Sequence, residues 1–242
     1  MSGARHVRRK AGLWRAIVLA LVVAGCATAP MQLVPPAGQP RNLGELKTEL
    51  LAYQRSGAYE RDLAVAAAEA QSYVEWRAAE AVRPALVLDI DETSLTNWPE
   101  IVANDFGYIP DGPCDRLPRG PCGVKAWEQS SRSEAIAPTL GLFRLARAKG
   151  VAVFFITGRR EDERAATERN LRRAGYDGWA GVILRPVGSA TPSAADYKAA
   201  ERARIEAAGY TIIANVGDQP SDLAGGHAER AFLLPNPFYR IP

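Results

Sequence analysis

The sequence predicts an α/β protein: a doubly wound parallel sheet with N-terminal helices and a small inserted cap. Three observations predict it. Short apolar runs at residues 85–88, 151–156, 182–184, 211–216 and 232–234 are of the kind that makes buried parallel strands. Helix-length segments separate most of them, the pattern of crossover connections. Polar residues follow the runs closely, and in a parallel sheet those strand ends share one edge.

Taken in order, the chain of 242 residues begins with an address rather than a fold. Residues 1–25 hold Arg5, Arg8, Arg9, Lys10 and Arg15 with no acidic residue, followed by an unbroken apolar run from Ala16 to Gly25. That run is far short of the ~20 residues a membrane-spanning helix needs, so it reads as a secretory leader. It ends in Val23-Ala24-Gly25-Cys26, which resembles a bacterial lipobox with Cys26 as the lipidated residue. The resemblance implies a membrane anchor at Cys26 in the outer membrane, with the domain in the periplasm or at the cell surface. The leader also explains the formal charge of +3: without its five cations, 25 basic residues face 27 acidic ones, a net of −2. The body therefore lacks the electrostatic footprint of a protein that binds a nucleic acid polymer.

Residues 26–42 carry Pro30, Pro35, Pro36 and Pro40 and read as a tether, leaving 43–242 as the domain. From Leu43 to Val82, apolar residues recur at helical spacing, and Ser56-Gly57 divides the stretch into two packing helices. The first strand, Ala85–Leu88, runs into Asp89 and Asp91. Two carboxylates at the end of a buried strand are costly without a ligand or hard cation. Asp89 is thus a candidate nucleophile and Asp91 a candidate acid or base.

Residues 98–135 show no sustained period and read as a small cap over the strand ends. Its Trp98, Tyr108 and Trp127 are either surfaces for a planar substrate group or the cap's own core. Cys114 and Cys122 pair naturally in an oxidising compartment, closing a short surface loop. Helices are expected over 138–149, 161–174 and from a Thr191-Pro192 cap to about Ala208, the first and last closed by Gly150 and Gly209 and the middle one by Gly175.

Asp89, Asp91, Thr157, Lys198, Asp218 and Asp222 then converge on one crevice. Several carboxylates with one lysine and one hydroxyl suit Mg2+ together with a phosphate, since the oxygens are hard ligands and Mg2+ bridges substrate oxygens. Beyond the leader the chain has one histidine, His227, which excludes a histidine-rich zinc site and leaves little for a Ser-His-Asp triad.

Asp89-Ile-Asp91-Glu-Thr93, Thr157-Gly158-Arg159, Lys198 and Gly217-Asp218-Gln-Pro-Ser-Asp222 resemble the four motifs of the haloacid dehalogenase-like superfamily. The longer string from Asp89 to Asn97, with the lipobox and preceding helices, is similar to the class B/C acid phosphatase branch. That branch includes bacterial outer-membrane lipoprotein phosphatases and plant vegetative storage proteins. The resemblance implies a Rossmann-like fold and a Mg2+-dependent acid phosphatase for small phosphomonoesters, nucleoside monophosphates among the candidates. It implies Asp89 as nucleophile forming an aspartyl phosphate and Asp91 as acid and then base. It implies Mg2+ on Asp89, the Asp91 carbonyl and Asp218, with Asp222 as ligand or neighbour. Thr157, Gly158, Arg159 and Lys198 fall to the phosphate. Asp91 is expected to have a raised pKa supplied by a neighbouring carboxylate. Arg159 is assigned either to phosphate or to Asp222, Asp222 doubles as a candidate helix cap, and His227 is a surface residue. The competing functions are a storage-type protein on the same scaffold and phosphotransfer to an alcohol.

Overall fold

The structure is a computed structural model that describes Gly3, residues 38–189 and residues 193–241. Apart from Gly3, the leader lies outside the described residues, as do Cys26, most of the tether and Thr191-Pro192.

Asn42 caps the first helix, α1 (Leu43–Arg55), its side chain accepting from the Gly44 and Glu45 amides. Gly57, at φ +69°, supplies the left-handed turn into α2 (Ala58–Arg77), the expected break between the two helices. Then follow β1 (Pro84–Leu88), β2 (Leu95–Thr96), α3 (Trp98–Ala103), α4 (Val124–Ser130), β3 (Glu134–Ala135) and α5 (Ala137–Ala148). The chain continues through β4 (Ala152–Arg160), a 3-10 turn (Glu161–Glu163), α6 (Arg164–Arg173), β5 (Gly181–Arg185) and α7 (Ala194–Ala207). It closes with β6 (Thr211–Gly217), α8 (Pro220–Leu223) and β7 (Arg230–Leu233).

Five strands form one parallel sheet in the order β5-β4-β1-β6-β7. Alternate residues of β1 feed two cores, because strand side chains alternate faces. Leu86 and Leu88 pack with Leu63 and Val74 of α2, Leu142 and Phe143 of α5 and Leu171 of α6. Ala85 and Val87 face the other way, with Tyr197 and Ile205 of α7. The chain leaves β1 toward β4 and β5, then returns past β1 to β6 and β7. The switch in direction falls between β1 and β6, where an open α/β sheet offers a crevice at the carboxyl ends of its strands.

The main departures from the sequence expectation are three. First, β4 runs on to Arg160, because Arg160 pairs with Arg185 across a register shift that begins at Thr157. The polar run Thr157-Gly158-Arg159 is thus a bulged strand end rather than a loop. Second, α7 is capped by Ser193, which accepts from the Asp196 amide, two residues past the expected Thr191 cap. Third, the stretch 98–135 is not simply irregular. It holds two short helices and is bounded by the β2–β3 antiparallel ladder. The disulfide expected within it joins Cys114 to Cys122.

Candidate active site

Three adjacent strands aim their carboxyl ends at one place. The Asp89 amide, just past β1, donates to the Val216 carbonyl of β6 at 3.0 Å, and Ser94 Oγ donates to the Asp89 carbonyl at 2.6 Å. Gly217 ends β6 and delivers Asp218. A Cβ at Gly217 would stand 2.4 Å from Asp222 Cβ and 2.5 Å from its Oδ2, so only glycine lets the Asp222 carboxylate lie against the strand end. Asp222 Oδ2 accepts from the Gln219 amide at 2.9 Å, completing a capping box on α8. Asp222 is thus the third residue of α8, closing the box on a Gln219 cap rather than being the cap itself, and its other oxygen, Oδ1, faces Lys198.

Asp89, Asp218 and Asp222 each offer an oxygen, and these three atoms lie within 4.8 Å of one another, all buried. From α7, Lys198 Nζ donates to Asp89 Oδ1 and to Asp222 Oδ1, the latter at 2.6 Å. Asp218 is steadied by Thr93 Oγ1 at 3.1 Å, Gln219 Nε2 at 2.6 Å and Asn236 Nδ2 at 2.7 Å. One ammonium against three buried carboxylates leaves negative charge uncompensated. Burial, offset in part by Lys198 and reinforced by Asp222 and Asp218, holds the Asp89 carboxyl well above the usual range. Burial and Asp222 push Asp218 up to about 6. This donor set, all hard oxygens with excess charge, fits a divalent cation of the Mg2+ kind.

Asp91 lies apart from that cluster. Arg159 grips it with Nε at 3.1 Å from both oxygens and Nη2 at 2.6 Å from Oδ1, and Asn97 Nδ2 adds a bond of 2.8 Å to Oδ1. Burial pushes the Asp91 carboxyl up, but the Arg159 guanidinium and the bonds from Arg159 and Asn97 outweigh it and leave the pKa lowered. The expected raised pKa is thus corrected, because the dominant neighbour is a guanidinium rather than a carboxylate. Arg159 likewise makes its contacts with Asp91 and, at 3.7 Å, Glu128; Asp222 is held by Lys198 instead.

Thr157 is fully buried at its strand end, its Oγ1 accepting from the Arg159 amide at 3.1 Å, while Gly158 is exposed. Trp98 packs against Phe106 and Phe238, and Trp127 is buried with its Nε1 bonded to Asn97 Oδ1. Of the three aromatics expected to serve a cap, only Tyr108 stands open, at 79 % exposure. His227 is on the surface against Glu206, as expected.

Several residues that matter here carried no role in the sequence reading. Arg202 is fully buried and donates to the carbonyls of Asp222, Ala224 and Gly226, holding the α8 turn. Its signal was present: it lies four residues after Lys198 on one helix face. Asn236 and Tyr239 reach Asp218 and Glu92 from the C-terminal segment, with no pattern to announce them.

Buried acids around the site make stability depend on pH. Burial is the largest cause in each case: Glu92 is pushed up to about 8, Glu100 to about 7 and Glu128 to about 9. These groups hold protons in the folded chain that the unfolded chain loses near pH 4.5. Their stabilising contribution is therefore full below that pH and is lost as pH rises toward 9. The melting temperature in EDTA should be ~5–10 °C lower at pH 9 than at pH 5, and Glu128→Gln should flatten the slope. A flat profile for the unsubstituted protein would contradict this account.

The chain resembles known proteins along nearly its whole length. A profile of the HAD superfamily, subfamily IIIB (acid phosphatase), matches residues 14–242. The stem 28 kDa glycoprotein of Glycine max is 30% identical over 243 residues, covering 99% of this chain and 87% of that protein. Acid phosphatase 1 of Solanum lycopersicum is 33% identical over 162 residues, 66% of this chain and 60% of that one. The class C acid phosphatase of Bacillus anthracis superposes with a TM-score of 0.63 at 21% identity, over 81% of this chain and 86% of that one, a likeness that speaks for the fold.

Proposed function

The chain belongs to HAD superfamily subfamily IIIB, the acid phosphatases, and on that premise we propose that it is a Mg2+-dependent hydrolase of small phosphomonoesters working through Asp89. The observation that carries the reading is the set of three carboxylate oxygens, from Asp89, Asp218 and Asp222, within 4.8 Å of one another at the switch point of the sheet.

In this reading an Asp89 oxygen attacks phosphorus, the bond from phosphorus to the leaving oxygen breaks, and Asp91 gives that oxygen a proton. Asp91 then takes a proton from water as the water attacks phosphorus, which frees phosphate and restores Asp89. Thr157, the Gly158 backbone and Lys198 hold phosphoryl oxygens. Mg2+ would be held by Asp89, Asp218 and the Asp91 carbonyl, with Asp222 as ligand or neighbour, and would supply positive charge against the phosphoryl oxygens. Arg159 orients Asp91 and opposes its protonation, so the protonated form needed for the first step is favoured by acid.

Removing divalent cations tests the reading. Hydrolysis of p-nitrophenyl phosphate should fall at least ~100-fold in EDTA and return with Mg2+. Full activity in EDTA would overturn the metal assignment. Return with Mn2+ or Zn2+ but not Mg2+ would overturn the choice of ion. Including glycerol and measuring glycerol phosphate separates hydrolysis from phosphotransfer, the alternative that uses the same residues.

Location is the second part of the proposal. Among the described residues no helix is long and apolar enough to cross a membrane. The Val23-Ala24-Gly25-Cys26 string supports a lipid anchor at Cys26 in a bacterial outer membrane. Labelled fatty acid should enter the full chain and not a Cys26→Ser variant; equal labelling of both refutes the anchor.

A further inference from the structure

Asn97 sits where the cap meets the site, and every hydrogen-bonding position of its side chain is used. Its Nδ2 donates to Asp91 Oδ1 at 2.8 Å and to Glu92 Oε2 at 3.1 Å. Its Oδ1 accepts from Trp127 Nε1 at 2.8 Å and from Ser133 Oγ at 3.0 Å. An amide has two chemically different ends, and here only one orientation satisfies its neighbours. Turned over, its oxygen would face the ionised Asp91 carboxylate and its NH2 would face an indole N–H. Trp127 and Ser133 therefore decide which way the amide points, and the amide in turn holds Asp91.

The backbone supports the same arrangement. Glu92 adopts φ +52°, a left-handed conformation unusual for glutamate, which turns the chain back after Asp91. The Glu92 carboxylate then accepts from the Asn97 amide N–H and from Tyr239 OH, so residue 97 is held beside Asp91 at both backbone and side chain. Asn97 is buried, and so is Trp127, which belongs to α4 inside the cap. The chain of contacts thus runs from a cap helix to the group that exchanges the leaving-group proton.

We propose that Asn97 is the positioning residue for Asp91 and that Trp127 of the cap sets it. Arg159 fixes Asp91 from the floor of the site, and Asn97 fixes it from the cap side. The position of the cap over a substrate is thereby coupled to the placement of the acid. This rests on the reading of Asp91 as the acid of the first step, and the experiment separates the two.

Proton donation matters most when the leaving group is poor. The test compares kcat/KM for an alkyl phosphate with that for p-nitrophenyl phosphate, since kcat/KM reports the step in which the leaving group departs. Asn97→Ala should slow the alkyl phosphate by ~10–100-fold and p-nitrophenyl phosphate by no more than ~3-fold. Trp127→Phe, which deletes one donor to Asn97, should show the same contrast at ~3–10-fold. The double variant should match Asn97→Ala alone, because the two residues act in series. Equal slowing of both substrates by Asn97→Ala would mark general damage and overturn the proposal, as would multiplied effects in the double variant. Should Asn97→Ala not fold, Trp127→Phe and Ser133→Ala carry the same contrast, and its absence in both overturns the coupling. Asp91→Asn is the control. A strong contrast there with none in Asn97→Ala defeats the positioning role alone, whereas no contrast in Asp91→Asn defeats the acid assignment and this proposal with it.

Discussion

Asp89→Asn is expected to reduce phosphomonoesterase activity by at least about 10³-fold while leaving the melting temperature unchanged or raised. The two halves of this expectation have one origin. Asp89 is buried, and burial with the charges of Asp222 and Asp218 makes its ionised form costly in the folded chain. The amide of asparagine removes that charge and keeps an oxygen to accept from Lys198 Nζ. In the proposed mechanism it also removes the nucleophile. Activity sites commonly hold such a conflict between stability and chemistry. The measurement is a p-nitrophenyl phosphate assay beside a thermal melt in EDTA. Retained activity with an intact fold would remove Asp89 from the mechanism, and loss of both together would show only that the residue is needed to fold.

Lys198→Met should give the largest loss of stability among substitutions at the site. Lys198 lies buried between two carboxylates and is, among the described residues, the only cation ion-paired with the carboxylates of the three-aspartate cluster. Taking away one partner of a buried ion pair costs about 3–5 kcal/mol, because the charge left behind has neither water nor a partner. The loss should be greater at pH 8 than at pH 5. Without the ammonium the aspartates are pushed further above their usual range, and at pH 5 protons supply what the lysine no longer does. Mg2+ should restore part of the melting temperature. Thermal melts at both pH values with EDTA and with Mg2+ check all three statements. A loss that is independent of pH and unaffected by Mg2+ would mean that Lys198 acts through packing and not through charge.

These expectations show where sequence reading carried and where it stopped. The strands were legible because a strand buried on both faces must be apolar, and Ala85–Leu88 and Val151–Ile156 are. The end of β4 was not, because the pairing of Arg160 with Arg185 uses backbone groups that any side chain can accompany. The aspartates were legible as a cluster because parallel topology brings strand ends to one edge. The partner of Asp91 was not. Arg159 stands two residues past Thr157, and neither position nor residue type says whether its guanidinium turns to phosphate, to Asp222 or to Asp91. Asn97 stood in plain view within the first motif, but its role depends on Trp127 and Ser133, 30 and 36 residues away.

From its sequence alone this protein was determined to be a parallel α/β domain with carboxylates at the strand ends, since periodicity and residue type act locally and survive without coordinates. Only the tertiary structure decided how those charges are shared: Lys198 between Asp89 and Asp222, Arg159 on Asp91, Asn97 between Asp91 and the cap. Charge and hydrogen bonding act through space over a few ångströms, and which groups come that close is set by how distant segments pack, which no spacing along the chain records.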